Sequence, residues 1–153
     1  MSIESKLEEL GIILPEAPRP VAAYVPAVCS RGQVIVSGQL PMRNGELMST
    51  GKIPSQTSME EAQTAARQCV LNGLAVLKAE LGGDLSRLSR VVRLGVFVQS
   101  DSDFQDQAQV ANGASEFLLE LLGDSGRHAR AAIGANSLPL NAAVEIEFTF
   151  EVS

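Results

Sequence analysis

The spacing of hydrophobic residues changes along the chain, and each change marks an element. Ile3, Leu7 and Leu10 share a helical face behind Ser2, a suitable N-cap, and Gly11 supplies the stop. Ile12 to Pro20 contains Pro15, Pro18 and Pro20, which predict an extended connector. Val21–Cys29 and Gln33–Leu40 read as strands joined through Ser30-Arg31-Gly32, with Pro26 placing the first at an edge. Asn44-Gly45 is a second tight-turn signal and puts Met42 to Met48 in a minor hairpin or loop.

The clearest helix begins at Ser58. Ser58-Met59-Glu60-Glu61 has capping-box form: the Ser hydroxyl takes the N3 amide and the N3 Glu reaches back. Ala62, Ala66, Cys69, Gly73, Val76 and Leu77 then recur at helical spacing until Gly82-Gly83 ends the run. The small residues on that face let the helix lie close to a sheet. Ser89–Gln99 is a strand with Val92, Leu94, Val96 and Val98 on one side. A second helix covers roughly Val110 to Leu122, with Phe117, Leu118, Leu121 and Leu122 inward and Gly123 as its stop. Asn112-Gly113, more often a turn, leaves the start of that helix open. His128–Ala135 and Ala142–Val152 are the closing strands. In the last, Val144, Ile146, Phe148, Phe150 and Val152 alternate with Glu145, Glu147, Thr149 and Glu151. This order predicts an α+β fold, a mixed sheet with both helices covering one face. One domain over residues 1–153 is expected, without repeats or low-complexity segments.

Composition narrows the function. Twelve Lys+Arg against 18 Asp+Glu give a net charge of -6, so the basic footprint of a nucleic-acid binder is missing. Two cysteines and one histidine fall short of a structural zinc site. Two free buried thiols are expected, a single disulfide being the other possibility. Met1-Ser2-Ile3-Glu4-Ser5-Lys6 lacks the apolar core of a signal peptide, and no stretch approaches the ~20 apolar residues that cross a bilayer. A cytoplasmic protein with no membrane partner is expected. There is no phosphate loop or dinucleotide fingerprint, and no cofactor is expected.

The final two strands concentrate the candidate chemistry. If the loop Asn136–Asn141 closes a hairpin with Ala135 facing Ala142, Arg130 lies opposite Glu147 and diagonal to Glu145. His128, Arg130, Glu145 and Glu147 then share the face away from the helices. On spacing alone this reads first as a cross-strand ion-pair network, worth roughly 0.2–1 kcal/mol per pair. The sharper alternative uses the planar fork of Arg130 to hold a substrate carboxylate, with a neighbouring glutamate acting on water. His128 near a strand start reads first as structural or solvated. Ser37 in Val36-Ser37-Gly38-Gln39 lacks the spacing of a hydrolase elbow. Cys69 reads as core. Tyr24 is either core with a surface hydroxyl or a site residue.

Val36-Ser37-Gly38-Gln39-Leu40-Pro41, His128-Ala129-Arg130, Leu138-Pro139 and Val144-Glu145-Ile146-Glu147 resemble the YjgF/RidA family of reactive imine/enamine deaminases, also labelled L-PSP endoribonuclease-like. The resemblance runs over residues 21–152; residues 2–20 look like the extension of a longer branch. It implies a chorismate-mutase-like fold and a homotrimer with ligand clefts between subunits. It also implies cofactor-free addition of water to 2-imino acids such as 2-aminoacrylate, giving a 2-oxo acid and ammonia. By resemblance Arg130 binds the substrate carboxylate, Glu145 positions water, and Tyr24, Ser37 and Asn112 line the cleft. Ala132 stands where the deaminase core group has a cysteine: a backbone carbonyl contact to the water survives that change, whereas a thiol that shapes the pocket would alter substrate range or rate. The rival is a non-catalytic trimer that binds small carboxylates. A ribonuclease or translation inhibitor is a weaker third option, opposed by the charge.

Overall fold

The computed structural model describes residues 1–19 and 23–153. Helix α1 (Ile3–Glu9) is capped by Ser2, whose hydroxyl accepts from the Ser5 amide at 3.1 Å. The described part of the connector after it has neither helix nor strand. Strand β1 (Ala27–Ser30) is shorter than expected: Ala23 and Tyr24 form a bend, and Val21 and Ala22 lie outside the described residues. β1 pairs antiparallel with β2 (Gln33–Gln39) across Arg31 and Gly32, at φ 49° and 78°. A two-residue hairpin needs two such left-handed residues, because that turn matches the twist of its strands. Asn44 and Gly45 repeat the device between β3 (Met42–Arg43) and β4 (Glu46–Leu47).

Both halves of the capping box form at the start of α2 (Met59–Glu80), with Ser58 Oγ accepting from the Glu61 amide at 3.1 Å. Gly73 lies under the Phe148 ring, where an added Cβ would come within 2.6 Å of a ring carbon, so α2 sits close to the sheet as its small residues predict. In β5 (Leu88–Gln99) Val91, rather than Val92, joins Leu94, Val96 and Val98 in the core. A register shift between Val91 and Arg93 explains the change, since one extra residue reverses the alternation. Helix α3 (Gln107–Leu122) starts earlier than Val110 and contains Asn112-Gly113 within it. Gly113 is there for packing: a Cβ would overlap the Gln63 backbone of α2. Cys69 is buried, but Cys29 is exposed, and both are free.

The main sheet has the order β1-β2-β7-β5-β6, where β6 spans Ala129–Ala135 and β7 spans Val144–Val152. It is mixed, with β6 parallel to β5 and the other pairs antiparallel. Both long helices pack on one face, where Val144, Ile146, Phe148 and Phe150 are fully buried. The expected hairpin between the last two strands does not form. α3 returns the chain to the end from which β5 started, so β6 must run parallel to β5. The loop after β6 then crosses the end of β5 and delivers β7 to its other side. Gln99, the buried last residue of β5, clamps that crossing loop. Its Oε1 accepts from the Leu138 amide at 2.6 Å and its Nε2 donates to Asn141 Oδ1 at 2.7 Å.

Candidate functional site

This topology separates the residues that the sequence grouped together. Arg130 aligns with Leu94, whose side chain faces the helices, so Arg130 also projects to the helix side. Glu145 aligns with Phe97 and lies between buried Val144 and Ile146, so it projects to the opposite face. Two strand spacings, about 10 Å, divide their backbones across the sheet. Arg130, and His128 with it, therefore leave the face that carries Glu145 and Glu147. The ion-pair network fails with it: Glu147 pairs with Arg93 at 3.1 Å. Among the described residues no carboxylate forms a salt bridge with Arg130.

The first cluster lies beside β6, at the sheet edge, against α3. Arg130 Nη1 donates to Asn112 Oδ1 at 2.8 Å and to Ser115 Oγ at 3.0 Å. Both hydrogens of that nitrogen are thereby used. Among the described residues nothing accepts from Nε or Nη2, the edge that presents two parallel donors to a carboxylate. Ser115 Oγ also lies 2.9 Å from His128 Nε2, and His128 Nδ1 meets the Gly126 carbonyl at 2.6 Å. Ala132, two residues after Arg130, is partly buried against the core. Ser115 was not anticipated. Its place one helical step after Asn112 was the signal that could have found it.

The second cluster surrounds the irregularity in β2, where pairing with β7 shifts between Val36 and Gln39. Gly38 falls in that shift, and a Cβ there would overlap the Glu145 carboxylate, so Gly38 makes room for it. Burial pushes the Glu145 carboxyl above the ordinary glutamate range, and the Glu147 charge adds to the rise. Ser37 is a strut: its Oγ donates to the Val25 carbonyl at 2.7 Å and its amide donates to the Pro26 carbonyl at 2.9 Å. These bonds tether the segment carrying the half-exposed Tyr24. A cavity of about 380 Å³ opens beside it, lined by Tyr24, Gly38, Gln39 and, from the N-terminal connector, Pro15, Glu16 and Arg19. Arg130 does not line that cavity.

One chain thus separates the two clusters: the Arg130 guanidinium with an unpaired edge lies against α3, and the Glu145 carboxyl lies at Gly38 on the opposite face of the sheet. The sheet face that carries Glu145 is not covered by either long helix, and Val28, Ile35 and Ile133 stand about half exposed on it. Among the described residues no group of three His, Cys, Asp or Glu side chains could hold a metal, and no helix is long and apolar enough to cross a membrane.

Comparison with known proteins adds a lineage. Residues 4–152 match the family model described as "YjgF/chorismate mutase-like, putative endoribonuclease". Protein TCP17 of Trypanosoma cruzi is 44% identical, over 99% of this chain and 94% of its own. A 2-iminobutanoate/2-iminopropanoate deaminase of Dermatophagoides farinae is 32% identical, over 89% of this chain and 91% of its own. The crystal structure of Atu1372 from Agrobacterium tumefaciens, a protein of unknown function, is 47% identical and superimposes with a TM-score of 0.92, covering 99% of this chain and 92% of that one.

Proposed function

Since the chain belongs to the YjgF/chorismate-mutase-like family, we propose that it hydrolyses short-lived 2-imino and enamino acids to 2-oxo acids and ammonia. The observation that carries this is the Arg130 guanidinium, held along one edge by Asn112 and Ser115 and unpaired along the other. A fixed fork with a free edge presents two parallel donors that match the two oxygens of a small carboxylate.

The site is completed between chains of a homotrimer. Arg130 and Asn112 come from one subunit; Glu145, Gly38, Ser37 and Tyr24 come from its neighbour. The half-exposed apolar residues of the open sheet face support association there. A 2-imino acid binds its carboxylate to Nε and Nη2 of Arg130, which sets the neighbouring C=N carbon at a constant distance from the protein. Glu145 accepts a proton as water attacks that carbon. The new O–C bond displaces the C=N π pair onto nitrogen, which takes the proton that Glu145 accepted, and Glu145 then carries the hydroxyl proton to the same nitrogen. Expulsion of ammonia as the C=O forms then gives the 2-oxo acid. The upward shift of Glu145 makes it a stronger base than an ordinary carboxylate. Ala132 leaves this scheme intact, because no step requires a thiol. The dominant contributions are positioning and charge.

The resemblance to the Dermatophagoides deaminase supports the reaction class. The endoribonuclease wording of the family description fits poorly with a net charge of -6 and a single histidine tied to Gly126 and Ser115. The test generates 2-aminoacrylate in place with a dehydratase and follows its decay in the presence of a trapping amine. The native protein shortens the lifetime of the imine and Arg130→Ala does not. Equal decay with and without native protein, alongside measurable 2-oxo acid binding, would replace the enzyme with a carboxylate-binding protein.

A further inference from the structure

The anchor is itself held by a directed chain of hydrogen bonds. Gly126 is buried, and a Cβ there would overlap the Leu118 backbone, so its carbonyl is a fixed point beside α3. A carbonyl only accepts, so the 2.6 Å contact requires a proton on His128 Nδ1, and in the neutral imidazole Nε2 then carries the lone pair. Ser115 Oγ accepts from Arg130 Nη1, and its own hydrogen is therefore available to Nε2 at 2.9 Å. Donation runs one way, from guanidinium to hydroxyl, imidazole and backbone.

We infer that Ser115 and His128 are positioning residues for the carboxylate anchor; this rests on the proposal that Arg130 binds a carboxylate. Asn112 occupies one hydrogen of Nη1, which alone leaves the guanidinium plane free to pivot. Ser115 occupies the second and fixes the plane, and His128 keeps the Ser115 lone pair turned toward Arg130. Arginine has more rotamer freedom than most side chains, so ordering it before the ligand arrives lowers what binding must order. Neither residue touches the carboxylate, and their effect is exerted through Arg130.

The test measures 2-oxobutanoate binding to the full chain by calorimetry, with KM and kcat for the imine. Ser115→Ala should weaken binding about tenfold, as expected on losing one hydrogen bond to a charged group, and His128→Leu, which can no longer orient the Ser115 hydroxyl, should weaken it by up to the same factor. KM rises in step while kcat stays within about twofold, because the anchor binds substrate and transition state alike. The double variant should be hardly worse than Ser115→Ala alone, since both break one chain, and Ser115→Thr should restore affinity by returning the hydroxyl. Nitrogen NMR of the native imidazole supplies a readout independent of any variant's folding, and the proton belongs on Nδ1. A proton found on Nε2, or native affinity in both single variants while Arg130→Ala abolishes binding, overturns the positioning role and leaves the anchor standing. Unchanged affinity in Arg130→Ala overturns both.

Discussion

At the scale of the residue, the account depends on geometry that side-chain type alone does not supply. Arg130→Lys keeps the charge but loses the fork that meets Asn112, Ser115 and a ligand together. Binding of 2-oxobutanoate should fall at least about tenfold in that variant, read by calorimetry. Glu145 makes a prediction about pH. Its carboxyl is raised in the folded chain by burial and by Glu147, so folding favours the protonated form. That contribution to stability is complete below the ordinary glutamate value and is lost as pH rises through the higher folded value. Thermal midpoints of the native protein and Glu145→Gln should therefore diverge across this window, with the variant gaining relative stability toward neutral pH. A constant difference between the two would contradict the shift. Activity moves the other way: it needs the ionised carboxylate and falls on the acid side at a pH above the ordinary glutamate value. Gly38→Ala sets a methyl against the Glu145 carboxylate, whose side chain can swing aside. The fold should survive by circular dichroism while imine hydrolysis drops. The sequence picks out Arg130 and Glu145 as candidates but not their surroundings: Ser115 is an ordinary helix position until α3 lies beside β6, and Val91 replaces Val92 because of a shift that no periodicity announces.

At the scale of the element, most of the chain is legible because local rules agree. The Ser58 capping box, the left-handed pairs Arg31-Gly32 and Asn44-Gly45 and the alternation of β7 each form where their residues predict. The failure is the pairing of β6 with β7. Adjacency in sequence favours a hairpin, but α3 returns the chain to make β6 parallel to β5, and Gln99 then ties the crossing loop over the end of β5. Strand pairing across a crossover depends on long-range packing that spacing does not encode. Asn112-Gly113 carries the same lesson, since a turn signal is overridden where Gly113 lets α3 approach Gln63. Gly113→Ala should force the helices apart and destabilise the fold by about 1–3 kcal/mol in chemical denaturation. It should also weaken carboxylate binding, because Asn112 and Ser115 flank it on α3 and hold Arg130. Loss of stability with native affinity would uncouple α3 placement from the anchor.

At the scale of the whole molecule, the sheet is covered by helices on one face only, and the two clusters look away from each other. That division is the strongest reason to place the site between chains, and it turns subunit exchange into the most direct test. Arg130→Ala and Glu145→Gln chains, each inactive alone, are unfolded together in equal amounts and refolded. If one subunit supplies the anchor and its neighbour the base, random assembly into a cyclic trimer restores about a quarter of the native sites, and imine hydrolysis returns to about that fraction. A mixture no more active than the two variants measured apart would mean that anchor and base never meet across an interface, and the shared-site account would fall.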